Sequence, residues 1–139
     1  MVRIQKKIRY KGVTSVEAAI VFPLLLVLTF GVIEYGWLFL KAQQITNATR
    51  YGARLAILQS ATRAGVEAAV INLLTSGGIQ VASIEDIDIA NISAAPGSPV
   101  TVQVTVPCDQ NLLIMNIPFL PKPATVGALV TMSKEGPSM

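Results

Sequence analysis

Hydrophobic and polar positions divide the chain into three regimes. Residues 18–40 are almost wholly apolar, and Glu34 is the one charge between Glu17 and Lys41. Beyond them apolar residues recur at helical spacing as far as Leu74, and from Asp86 onward they alternate with polar ones. The 23 residues of the first regime would form a helix roughly 34 Å long, against a bilayer hydrocarbon core of about 30 Å, so the run predicts a tilted membrane span. Tyr35 and Trp37 stand near its outer end, where amphipathic rings favour the interface. A cleaved secretory signal fits less well. The run exceeds a usual signal core, and Thr46-Asn47-Ala48 is only a weak cleavage pattern.

Ile45, Ala48, Gly52, Leu55 and Ala56 continue the helix beyond the apolar run. Within them Ala48, Gly52 and Ala56 form a small-residue stripe at i, i+4, i+8, which permits close helix approach. The stripe packs either on the protein's own sheet, the reading its spacing favours, or on a neighbouring subunit. Val66, Ala69, Val70, Leu73 and Leu74 predict a short amphipathic helix stopped by Gly77-Gly78. Three strands follow: one carrying Ile87 and Ile89, one carrying Val100, Val102, Val104 and Val106, and one carrying Val126, Ala128, Val130 and Met132. Ala95-Pro96-Gly97-Ser98-Pro99 reads as the turn between the first two. The fold class is therefore α+β: a long amino-terminal transmembrane helix continuing into a small domain with a short helix and a three-stranded antiparallel sheet.

Charge sharpens this division. Of eleven basic residues, Arg3, Lys6, Lys7, Arg9 and Lys11 precede Gly12, and the remainder carries six basic residues against eight acids, a net of −2. The overall +3 is thus a property of the leader. It argues for a cytoplasmic amino terminus by the positive-inside bias, and not for nucleic-acid binding. The predicted divisions are residues 1–12 as a basic leader, 13–40 as the transmembrane helix and 41–139 as an outer α+β domain.

Three residues at or in the span carry chemistry. Glu17 sits at the cytoplasmic edge, where a carboxylate costs less than the ~2.5–3.5 kcal/mol of the bilayer centre. A cut after Gly12 would make Val13 a free amine placed i, i+4 from Glu17 on one helix face, positioned for an ion pair within a subunit or between neighbours. Pro23 leaves the Ala19 carbonyl without its helical donor, giving either a tolerated kink or a bend used on assembly. Glu34, near the outer boundary, either snorkels to water or meets a partner subunit.

Gly12-x-x-x-x-Glu17, behind a basic leader and ahead of an apolar helix, resembles a type IV pilin-like leader. The strings Ser15-Val16-Glu17-Ala18-Ala19, Phe22-Pro23-Leu24-Leu25-Leu26, Gly31-Val32-Ile33-Glu34-Tyr35-Gly36 and Thr46-Asn47-Ala48-Thr49-Arg50-Tyr51-Gly52-Ala53-Arg54 together resemble the TadE-like family of minor pilins and pseudopilins of tight-adherence pili. The likeness covers about residues 8–58, and residues 128–135 are similar to the family's closing strand. One departure is Ala18, where the major pilins of these systems carry tyrosine after the glutamate; this points to the minor-pilin branch. The resemblance implies a long helix on a small sheet and cleavage between Gly12 and Val13 by a prepilin peptidase. It implies a bacterial inner-membrane location with the outer domain in the periplasm. The implied partners are that peptidase, other pilins or pseudopilins, and a tight-adherence assembly platform with its ATPase.

Other chemistry is sparse. The chain has no histidine and a single cysteine, Cys108, which removes the commonest general base and any internal disulfide. No cofactor or metal is implied, and an enzyme is not expected. Glu85, Asp86 and Asp88 lack the remaining positions of a calcium loop and read better as one face of a strand. Arg50 and Arg54 read as a solvated face, with pairing to a partner's acids as the alternative. The apolar residues 112–120 either cover the core or offer a partner surface. Two functions follow: a minor pilin or pseudopilin, or a single-pass anchored binding module that never polymerises. Processing at Gly12 separates them.

Overall fold

The computed structural model describes residues 11–80, 84, 86–108, 113–114 and 121–136, with backbone only for residues 11–13. Five elements follow one another: α1 (Lys11–Ala56), α2 (Arg63–Ser76), β1 (Asp86–Ala90), β2 (Pro99–Pro107) and β3 (Thr125–Ser133). The class is α+β, as the hydrophobic pattern predicts. The chain divides within α1 into two compact units, Met1–Ile33 and Glu34–Met139.

In the first unit the helix turns apolar side chains outward on all sides. Ile20, Phe22, Leu24 and Leu28 are each more than 60% exposed. A helix clothed this way has no protein core to cover it and matches an apolar solvent. Its backbone hydrogen bonds run within the helix, as a membrane requires, except that Pro23 offers the Ala19 carbonyl no N–H. The Thr29 hydroxyl donates to the Leu25 carbonyl one turn back, at 2.8 Å, so that polar group is also satisfied within the helix. Pro23 does not interrupt α1.

The second unit is built on a sheet of order β1-β2-β3, antiparallel throughout. Strict alternation in β2 decides which face is inner. Val100, Val102, Val104 and Val106 are fully buried, while Gln103 between them is exposed. On the outer face Thr101 and Thr131, directly opposite in the register, share a hydroxyl–hydroxyl hydrogen bond of 2.8 Å. The inner valines join Ile45, Ala48 and Ala53 of α1 and Val66, Val70 and Leu74 of α2 in one core. Two helices thus cover one face of the sheet, the usual solution for elements each apolar on one side.

Local signals set the ends of α2. Thr62, in extended conformation, accepts from the Gly65 amide at 3.2 Å and caps the amino end. At the other end Gly78 adopts φ +75, and the amide of Ile79 returns to the Leu74 carbonyl at 2.9 Å. This left-handed closure needs a residue without a Cβ, which is why the helix stops at the paired glycines.

Candidate functional site

The residues singled out in the sequence fall on both units. Leader residues 1–10 lie outside the described residues. Gly12 and Val13 belong to the first turn of α1, where only the backbone is described. Glu17 follows one turn later, exposed, beside the exposed Val16 and Ile20. Among the described side chains of this unit it is the one ionisable group.

In the second unit the buried positions of α1 are Glu34, Leu38, Lys41, Ile45, Ala48, Thr49, Gly52, Ala53 and Ala56. From Glu34 to Ala56 they advance in steps of three or four residues, one continuous helix face that Thr49 and Ala53 widen. Glu34 is 3% exposed. The expectation that it snorkels to water is therefore corrected: its carboxylate lies on the buried stripe, enclosed by protein. Tyr35 and Trp37, half-exposed on either side of that line, are held by the same unit. The Tyr35 hydroxyl donates to the Pro121 carbonyl, and the Trp37 ring lies 4.8 Å beneath Lys41 Nζ.

Gly52 lets α1 approach its neighbours. A Cβ added there would lie 2.5 Å from Val70 Cγ2, with Val66 and Val102 each 3.6 Å away. Gly52 therefore lies against α2 and β2 of its own domain, and Ala48 and Ala56 are buried in the same core.

Two lysines that sequence reasoning left unassigned are buried. Lys41 Nζ donates to the carbonyl of Gly77 at 2.7 Å. Lys134 Nζ donates to the carbonyls of Ala56, Leu58 and Ile92 at 3.2, 2.9 and 2.8 Å. Each places a cation at a helix carboxyl end, α2 for Lys41 and α1 for Lys134, where the unpaired carbonyls and the macrodipole favour it. For Lys41 the signal was present: it falls on the same helical line as Leu38 and Ile45. For Lys134, at the end of β3, no local signal existed.

Arg50 and Arg54 are exposed and, with Gln44, Tyr51, Leu73 and Ser76, line a groove of about 580 Å³ between α1 and α2. Neither arginine makes an ion pair among the described residues. Asp86 and Asp88 are exposed on the edge strand β1, and Arg63 bridges Asp88 at 3.5 Å and Glu67 at 3.7 Å. Glu85 lies outside the described residues, and no cluster of three potential metal ligands occurs among those described. Cys108 is buried. Of residues 112–120 only Leu113, buried, and Ile114, exposed, are described.

The arrangement that stands out is one helix whose first half carries an outward apolar surface behind Gly12 and Glu17, and whose second half is the spine of a small α+β domain. Its length and composition suffice to cross a membrane. Residues 12–54 match the TadE-like protein family. The TadE-like segment begins at the glycine singled out in the sequence and ends two residues before α1 does. It therefore embraces the apolar half, Glu34, Lys41, Gln44 and both groove arginines. No curated protein and no solved structure matches the chain.

Proposed function

We propose that this TadE-like chain is a minor pilin or pseudopilin of a tight-adherence pilus. It is inserted in the bacterial inner membrane by the first half of α1, amino terminus in the cytoplasm and outer domain in the periplasm. A prepilin peptidase removes the leader after Gly12. The new Val13 amine pairs with Glu17, within the subunit or across to a neighbour, and sets axial register. The assembly platform with its ATPase then withdraws the apolar helix from lipid into a bundle of other pilins, in the fibre or at its base or tip. The chain is a structural component and not a catalyst in this reading.

The observation that carries the proposal is the family match starting at Gly12 and running along one helix whose apolar side chains face outward. A removable basic leader, an edge glutamate and an uncovered apolar helix together suit a subunit that is stored in lipid and later packed against its like. The polar leader keeps the precursor oriented, and once it is gone the amine at Val13 supplies the counter-charge for Glu17.

Intact mass and amino-terminal sequence of the protein from native membranes test this, beside a Gly12→Ala variant. A chain starting at Val13, with the variant left uncut, is the expected result. An intact leader in a host with an active peptidase overturns the reading and leaves a single-pass anchored module.

A further inference from the structure

The groove between α1 and α2 carries a charge excess that no ion pair among the described residues answers. Arg50 and Arg54 stand one helical turn apart on its rim with Tyr51 between them, all three exposed. In its wall the Oε1 atom of Gln44 is buried and has no hydrogen-bond donor. The two guanidinium groups on the rim ask for two negative charges.

The same domain offers that set elsewhere. Among the described residues β1 pairs only with β2, so one row of its backbone groups faces outward, where the Ile89 carbonyl accepts from the Arg63 guanidinium at 2.6 Å. Asp86 and Asp88 project from it and Glu67 lies beside them, three acids against the single Arg63, which leaves two negative charges. The two surfaces are on opposite flanks of α2. At 100° per residue Leu73 and Ser76 fall on one side of the buried Val66, Val70 and Leu74 line, and Arg63 and Glu67 on the other. They face apart within one chain and meet only between chains.

We propose that the outer domain associates head to tail with a second copy of this chain, the Arg50–Arg54 groove of one copy receiving the Asp86–Asp88 edge of the next. The proposal rests on the reading of the chain as an assembling subunit. Because the two surfaces differ, the contact is heterologous: each copy keeps one free groove and one free edge, and the row continues instead of closing as a two-fold dimer.

Charge exchange tests it in the full-length protein, purified in detergent, with self-association read by sedimentation and lysine-independent cross-linking. Arg50→Glu with Arg54→Glu, and separately Asp86→Lys with Asp88→Lys, each set like charges face to face and should weaken association at least about tenfold. The chain carrying all four changes should recover to within roughly threefold of the parent, since the complementarity is restored with reversed sign. Arg50→Gln/Arg54→Gln and Asp86→Asn/Asp88→Asn serve where a charge-reversed chain fails to fold, each expected to weaken association less. Association unchanged in either pair, or unrecovered in a folded four-change chain, overturns the proposal. Loss with the arginine pair alone would assign the groove to an acidic part of the second copy other than β1, which also overturns it. Amino-terminal sequencing of the same variants keeps the two readings apart. A chain cut at Gly12 whose association ignores these charges loses only the interface. An uncut chain loses the pilin reading and leaves the charge result standing.

Discussion

Lys134 Nζ sits 3.2 Å from the carbonyl oxygen of Ala56, the last residue of α1, across 78 positions of sequence. The same ammonium reaches Leu58 and Ile92, so one buried side chain ties the end of the long helix, the α1–α2 connection and the β1–β2 loop to the end of β3. Backbone contacts reinforce the tie: the Glu135 amide donates to the Ile57 carbonyl at 3.1 Å, and the Lys134 amide to the Ser98 carbonyl at 2.8 Å. Substitution Lys134→Met keeps the apolar stem and removes the donor shared by the Ala56, Leu58 and Ile92 carbonyls. The full chain in micelles should lose about 2–3 kcal/mol, read as a lower denaturant midpoint. An unchanged midpoint would show that this tie contributes nothing.

Lys41 repeats the device at the end of α2, with a built-in reporter. It donates to Gly77 at 2.7 Å while lying over Trp37, the only tryptophan in the chain. Lys41→Met should cost roughly 1.5–3 kcal/mol and shift the fluorescence of Trp37 in the folded state. Lys41→Arg retains a cation above the ring and should shift the emission less.

At Gly52 two effects of opposite sign compete. Alanine in a helix interior gains about 1 kcal/mol over glycine. Yet its methyl would lie 2.5 Å from Val70 Cγ2 in a fully buried contact, and overpacking of that kind costs about 1–3 kcal/mol. Gly52→Ala is therefore expected to destabilise by about 1 kcal/mol. Val70→Ala should cost less in that background than in the parent, a coupling visible in a double-mutant cycle of unfolding free energies.

For Glu17 the expected consequence lies in assembly and not in folding. The side chain is exposed and contributes nothing to the core. Glu17→Gln should leave insertion and the cut after Gly12 unchanged, and should lower the fraction recovered in sheared fibres about tenfold, equivalent to ~1.4 kcal/mol of lost pairing. Equal recovery of the two proteins in the fibre fraction would remove Glu17 from the register mechanism.

Much of this protein was legible from one dimension because the relevant physics is local. A run of apolar residues longer than the hydrocarbon core is thick announces a membrane-length helix wherever it stands. Alternation in Val100, Val102, Val104 and Val106 settles both the strand and its inner face, since successive side chains point to opposite sides. The paired glycines end α2 because Gly78 supplies the left-handed turn. What only the tertiary structure decided are the fates of charged residues. Glu34 looked like a boundary group and is buried; Lys41 and Lys134, to which the sequence pattern assigned no role, are buried at helix carboxyl ends. Their partners lie 36 to 78 residues away, and a buried charge is defined by such partners, not by its neighbours in sequence. The groove of Arg50 and Arg54 belongs to the same class, for a helical spacing of two arginines says where they point but not that a second helix passes beside them.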